Sequence, residues 1–151
     1  MKQLLELRKM SDLFYKTFSK HLFPEIEHKI GRPYVVLVVK INNFRFAIPL
    51  RTNIRHSYCY KFKTSDRKTE SKTGIDFSKA VIIDNDNFLG KKTYINNKEY
   101  VELRNKAFFI MKKFKKYVQD YINFKKHGGN EYIAKRYKYS TLQYFDKILL
   151  R

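Results

Sequence analysis

The run PYVVLVVKINNFRFAIPL, residues 33 to 50, constrains the fold of this chain more than any other stretch. PYVVLVVKI is β-branched and nearly all apolar, without the alternation of a half-exposed strand. It reads as a strand covered on both faces. FRFAIPL, 44 to 50, is its antiparallel mate, and Asn42-Asn43 between them tolerate the positive φ of a two-residue hairpin turn. Pro49 has no N–H to give a ladder, so the second strand is expected to loosen or bulge there. YCYKFK, 58 to 63, alternates as a third strand. TSDRKTESKTG, 64 to 74, is a charged loop, and FSKAVIID, 77 to 84, supplies a fourth strand.

Helices flank this β centre. Residues 3 to 9 fit a short strand or a helical turn equally. Ser11 is a good N-cap for a helix through about His21, with Asp12 favourable at its positive end and Pro24 as a stop. PEIEHKIGR, 24 to 32, reads as a connecting loop. After Gly90 the period changes. From Asn97 to Lys126 apolar residues recur at 100/101, 107/108, 111, 114, 117/118 and 121/122, one long amphipathic helix ending at Gly128-Gly129. A shorter aromatic-rich helix or two follows, with Ser140 capping TLQYFDKILL. There are no repeats and no linker, and 151 residues suit one domain. The expected architecture is α+β, a compact antiparallel core with helices around it.

Charge narrows the function. Lys and Arg number 33 against 14 Asp and Glu, a formal charge of +19 spread along the chain. A compact domain so positive is relieved by a polyanion, and nucleic acid is the expected partner. Lys-rich solvated faces account for part of it. Cys59 is the one cysteine, which excludes an intrachain disulfide and fits a reducing cytoplasm. No cysteine or histidine neighbours sit at zinc-ligand spacing, and no metal or other cofactor is expected. No run approaches the ~20 apolar residues of a membrane span.

The stretch FAIPLRTNIRH, 46 to 56, is where chemistry is expected. Two guanidiniums, a hydroxyl, an amide and an imidazole crowd a strand's exit, where packing asks for none of them. RNA cleavage by the substrate's own 2′-hydroxyl needs a base, an acid and donors for the non-bridging oxygens. Arg51 and Arg55 can meet a phosphate two-pronged, Thr52 and Asn53 can add neutral hydrogen bonds, and His56 can move a proton near neutrality. Polar loop residues after a strand are also common, so solvated side chains in a turn explain the same stretch. Ser78 and Lys79, at the start of the fourth strand, can orient and steady a phosphate. Tyr and Phe interleaved with cations, as in FYKTF and YCYKFK, can stack on unpaired bases. Most of them must nonetheless fill a core that has no Trp.

Other chemistries lack support. There is no glycine-rich phosphate loop. Asp84 and Asp86 fall in a turn rather than a two-metal arrangement. Nothing marks Cys59 as a nucleophile.

RPYVVLVVKINNFRFAIPLRTNIRH, 32 to 56, followed by GIDFSKAVII, 74 to 83, resembles the toxins of type III toxin–antitoxin systems, closest to the TenpN branch that is related to ToxN, CptN and AbiQ. The resemblance runs over most of the chain in order. It implies a metal-independent endoribonuclease on a β-barrel-like core similar to MazF and Kid, with surrounding helices and a long C-terminal helix. It implies cleavage of single-stranded RNA to a 2′,3′-cyclic phosphate. It also implies inhibition by a small antitoxin RNA pseudoknot, excised from a repeat precursor and closed with the protein into a compact hetero-oligomer. The family hydroxyl falls on Thr52, the basic residue beyond it on Arg55, a basic position opening the hairpin on Arg32, and an N-terminal tyrosine on Tyr15. Relatives such as ToxN carry two adjacent hydroxyl residues and a lysine here, so either Arg51 or Arg55 stands in the lysine's place. Arginine does not give up its proton, which leaves His56, Tyr15 or Lys79 for proton transfer.

The resulting expectation is a toxin acting on cellular or phage mRNA, with a role in abortive infection. Thr52, Arg51 and Arg55 grip the scissile phosphate, His56 leads proton transfer, and Lys79, Ser78, Arg32 and Tyr15 line the groove. Asn53, Arg45, Lys61, Lys63, Lys112 and Lys116 hold further RNA. A non-catalytic basic RNA-binding module is the alternative. A DNA-binding regulator has less in its favour, since no helix-turn-helix pattern stands out.

Overall fold

The computed structural model describes residues 5–28, 34–67 and 73–151. The hairpin forms as the sequence dictates: β2 (Val35–Ile41) and β3 (Phe44–Thr52) pair from Ile41↔Phe44 to Val36↔Pro49. Asn42 turns the corner at φ 54. The ambiguous N-terminal segment is a strand, β1 (Glu6–Met10), which adds to β2 with Leu7 opposite Leu37. Val36 to Val39 are all buried, so β2 is covered on both faces as its unbroken apolar run requires.

The second strand does not bulge at Pro49. It runs on to Thr52 and changes partner instead. On one edge β3 keeps β2. On the other, Phe46 and Ala47 pair with β6 (Val81–Ile82), while Leu50 to Thr52 pair with β5 (Thr73–Asp76). Pro49 falls in the gap between these two partners, where an absent N–H leaves no ladder bond unmade. The expected fourth strand, 77 to 84, is therefore two pieces. Phe77–Lys79 form a 3₁₀ turn, capped by Asp76 through its bond from the Ser78 N–H, and only Val81–Ile82 are extended. The third strand is β4 (Cys59–Lys61), paired with β5. A strand without a counterpart in the sequence reading, β7 (Leu89–Lys92), pairs with β1. The seven antiparallel strands run β4-β5-β3-β2-β1-β7, with β6 also on β3. The sheet is open: among the described residues the short edges β4 and β7 do not pair.

Helices close the two faces. α1 (Asp12–Thr17) is capped by Ser11, whose hydroxyl accepts from the Phe14 N–H at 3.3 Å. It ends four residues before the expected His21. Phe18 leaves helical geometry (φ −106°, ψ 67°) and joins a ring cluster with Phe14, Phe23, Phe88 and Phe145. α2 (Asn97–His127) matches the long helix, from the Asn96 cap to Gly128. Gly128 has φ 78° and ψ −176°, a region essentially closed to residues with a Cβ. The buried stripe of α2 differs from the apolar one in its first half. Glu99, Glu102, Leu103 and Ile110 point inward, while Val101 and Phe108 are exposed. Farther on, Phe114 packs edge-on to Phe46, with ring centroids 5.1 Å apart.

Both inward carboxylates have partners, although Glu99 Oε1 is buried without one among the described residues. Glu102 accepts from the Tyr60 hydroxyl at 2.5 Å, the Lys63 N–H at 2.9 Å and the Thr64 N–H at 2.7 Å. Glu99 accepts from Ser65 at 2.5 Å and Arg67 at 3.0 Å. The charged loop after β4 is thus tied to the first turns of α2. α3 (Glu131–Tyr137), a 3₁₀ segment (Thr141–Phe145) capped by Ser140, and α4 (Asp146–Leu149) complete the chain. The Thr141 hydroxyl donates to the Ser78 carbonyl at 3.2 Å and also to that of Ala80, joining the C-terminus to the 3₁₀ turn of the sheet. No described helix is long and apolar enough to cross a membrane.

β5 approaches β4 too closely for a side chain at Gly74, where a Cβ would lie 2.6 Å from the Tyr60 carbonyl oxygen. Gly74→Ala is expected to lower unfolding free energy by about 1–3 kcal/mol in urea titrations, the usual cost of overpacking. An unchanged midpoint would mean that β4 yields at no cost.

Candidate functional site

Three chain segments meet around Asp76, at the end of β5. Arg51, opposite Gly74 in the ladder, reaches the carboxylate of Asp76 at the end of β5. The Arg51 Nη1–Asp76 Oδ2 distance is 2.6 Å, and Arg51 Nη2 also meets Glu27 Oε1 at 3.1 Å. His56, on the loop after β3, places Nε2 3.1 Å from Asp76 Oδ1 and 3.3 Å from the Ser78 hydroxyl. Ser78 donates to Asp76 Oδ1 from its hydroxyl at 2.6 Å and from its N–H at 3.0 Å. Asp76 is wholly buried, yet it collects a guanidinium, an imidazole, a hydroxyl and a peptide N–H. Burial pushes its pKa up, but the hydrogen bonds from His56, Ser78 and Arg51 outweigh this. Its carboxyl is held below the ordinary value of 3.8.

The arrangement assigns His56 its tautomer. Nδ1 accepts from the Tyr58 N–H at 3.0 Å, so the proton sits on Nε2 and points at Asp76. Both ring nitrogens are therefore occupied by protein partners. This differs from the expectation that His56 leads proton transfer: as placed, it presents no free nitrogen to a substrate. Ser78 is equally committed, its hydroxyl donated to a carboxylate. Arg51 is matched by two carboxylates, so its charge is largely neutralised within the fold.

The surface beside this network is different. Thr52, Asn53 and Arg55 are exposed, and Asn53 at φ 55° turns the chain out of β3. Arg55 makes no hydrogen bond or ion pair with the described residues. Of the two arginines at the strand exit, Arg51 is built in and Arg55 is available.

Lys79 lies on the other side of Asp76. Its ammonium donates to the Glu25 carbonyl at 3.0 Å and the Tyr139 carbonyl at 3.5 Å, and burial is the main cause that lowers its pKa. Tyr15 reaches the same neighbourhood. Its hydroxyl accepts from the Tyr34 N–H at 3.3 Å, and burial raises its pKa. Tyr15, Glu27, Tyr34, Pro49 and Lys79 line a void of about 20 Å³, far too small for a nucleotide. A larger cavity, about 760 Å³, lies at the β1–β7 edge between Arg8, Tyr94 and Tyr100, away from these residues.

The remaining expected residues scatter. Arg45 is at the far end of β3, paired with Asp86. Lys61 and Lys63 are exposed on and after β4, and Lys112 is exposed on α2. Lys116 is paired with Asp120 at 2.9 Å. Arg32 lies outside the described residues. Cys59 is buried, which pushes its thiol up and fits the reading that it is no nucleophile. Among the described residues no group of three or more His, Cys, Asp or Glu is placed to hold a metal ion.

Sequence reasoning missed the centre of the cluster. Asp76 and Glu27 were passed over, although a lone Asp in the otherwise uncharged run TGIDF, two residues before a Ser, carries a capping signature. No family model, curated protein or solved structure matches the chain.

Asp76→Asn leaves Arg51 with Glu27 as its remaining carboxylate and removes the buried charge that His56 and Ser78 surround, and is expected to cost on the order of 1–3 kcal/mol at neutral pH. Because the folded pKa is depressed, the stabilisation is complete above the unfolded value and is lost as pH falls through the folded one. The stability gap between wild type and Asp76→Asn, measured by denaturant titration, should therefore shrink below about pH 4. A gap that is the same at pH 7 and pH 2.5 would contradict a charged Asp76.

Proposed function

We propose that this chain is an endoribonuclease that works without a metal, the toxin of a type III toxin–antitoxin system. The family resemblance supplies the class. The observation that supports it is the convergence of Arg51, His56 and Ser78 on a buried Asp76, which makes a rigid floor beneath the exposed Thr52 and Arg55. In this reading the substrate's 2′-oxygen attacks the adjacent phosphorus, the bond to the 5′-oxygen breaks, and a 2′,3′-cyclic phosphate and a 5′-hydroxyl form. Arg55 and Thr52 meet the non-bridging oxygens, where charge develops. Lys79, its pKa lowered by burial, would take the 2′-hydroxyl proton only on leaving the Glu25 and Tyr139 carbonyls that its ammonium now meets. Tyr15, whose raised pKa keeps it protonated, is suited to donate one to the leaving oxygen. His56 is a positioning residue that holds Asp76, and through it Arg51.

The substrate is cellular or phage mRNA. A small structured antitoxin RNA, a pseudoknot, occupies the same groove and closes with the toxin into a hetero-oligomer. The kinship of the core to the MazF and Kid barrels belongs to this proposal. So does the cytoplasmic site of action.

The test is incubation of purified protein with end-labelled single-stranded RNA in EDTA, with mapping of the new ends. Cyclic-phosphate ends are expected, and Arg55→Ala should lower the rate on the order of 10²-fold with an unchanged melting temperature. The rate should climb with pH on a limb lying below the ordinary lysine value of 10.5, and Lys79→Met should lose that limb. Binding without new ends would replace the enzyme by a non-catalytic RNA-binding module.

A further inference from the structure

A series of flat side chains leads away from His56 toward solvent. The His56 and Tyr58 rings are stacked, with centroids 5.6 Å apart and planes 22° from parallel. The guanidinium of Arg136 lies over Tyr58 at 5.5 Å and over Tyr132 at 5.5 Å. Tyr132 and Arg136 are one turn apart on α3, so they share a face of that helix. Tyr137 anchors α3: its hydroxyl donates to the Tyr117 carbonyl at 2.8 Å, and its ring packs on Tyr117, Tyr121 and Phe124.

Nothing in packing explains the far end. Tyr132 is 67% exposed, a large aromatic surface left in water, and Tyr139 close by in the chain is 63% exposed. The acidic group facing Arg136 is Asp120, at 3.8 Å, and it is shared with Lys116. Arg136 Nε is buried and has no hydrogen-bond partner among the described residues. The guanidinium is thus fixed mainly by rings rather than by charge.

We propose that Tyr132 and Arg136 form a stacking subsite for an unpaired nucleobase of RNA, one that flanks the nucleotide at the Asp76 site. This rests on the RNA reading above. A nucleobase suits the position because it is flat, offers a π-face to a tyrosine or guanidinium whatever its identity, and brings a phosphate to a strongly cationic chain. Stacking of this kind is tolerant of sequence. The subsite therefore contributes grip and registers the strand, and it leaves the chemistry to the residues around Asp76.

The test uses a fluorescein-labelled 2′-O-methyl RNA octamer, which has no nucleophilic hydroxyl, and reads anisotropy at fixed salt. A second octamer carries abasic residues at all positions. Tyr132→Ala should weaken binding of the octamer about tenfold, and Tyr132→Phe should stay within about twofold of wild type. The abasic octamer should bind wild type and Tyr132→Ala alike. The salt slope should be the same for wild type and variant, because no cation has been removed. Equal affinity of wild type and Tyr132→Ala for the intact octamer, in a protein that still cleaves unmodified RNA, overturns the subsite alone. Wild type that neither binds nor cleaves RNA overturns the ribonuclease reading, and the subsite with it.

Discussion

A carboxylate removed from water survives as a charge only where donors surround it, and Asp76 is such a group. Its four partners come from β3, from the loop after β3 and from the 3₁₀ turn that follows β5. That ion ties the end of β5 to Arg51 near the end of its antiparallel neighbour β3. Without it the loop from Asn53 to Tyr58 would lose its hold on the sheet. One buried charge thus holds the imidazole of His56 and the turn that carries Ser78 against the sheet. The cost of burying it is offset by hydrogen bonds, which is why removing one partner is worse than never having had the pair.

The same physics recurs at the start of α2. Glu99 and Glu102, one turn apart, draw the backbone and side chains of residues 63 to 67 against the helix. Their inward turn rotates the buried stripe and leaves Val101 and Phe108 in solvent. A helix whose apolar residues alone decided its orientation would bury the two hydrophobics. The charge-assisted bonds, two to Glu99 and four to Glu102, outweigh the burial of a valine and a phenylalanine, each worth about 1.5–3 kcal/mol.

The cations of the chain divide into two groups. Arg8, Arg45, Arg51 and Arg67 are paired with carboxylates, and Lys113 donates to the Cys59 carbonyl across the face of β4. These are structural. Arg55 and Lys112, by contrast, project without partners among the described residues. The excess charge is therefore borne by surface residues, the arrangement that attracts and steers a polyanion. Among the described residues aromatic surface is exposed in three places, at Tyr94, at Phe108 and Phe109 on α2, and around α3, where Tyr132 and Tyr139 stand clear of the core.

Much of the architecture was legible because it depends on local rules. A β-branched run, an Asn-Asn corner and a 3.6-residue period terminated by Gly128 are each decided by neighbours a few residues away. The hairpin, the long helix, its cap and the covered strand β2 followed from them. The crowding of polar and cationic side chains at the strand exit, 51 to 56, was legible for the same reason. What the amino-acid order could not disclose was pairing at a distance. Pro49 marked a disturbance, but whether β3 bulges or exchanges partners depends on strands contributed from residues 73 to 82. Arg51 and Arg55 looked alike in sequence, and only the arrival of Asp76 and Glu27 makes one a half-buried, paired ion and leaves the other open to solvent. His56 looked like a proton carrier until the fold brought a carboxylate to one nitrogen and a peptide N–H to the other. Sequence by itself determined the hairpin, its Asn-Asn corner and the long helix ending at Gly128, since those choices are made within a few residues. Tertiary structure decided which charges are used up and which stay available, because burial and partnership are properties of contacts between segments far apart in the chain.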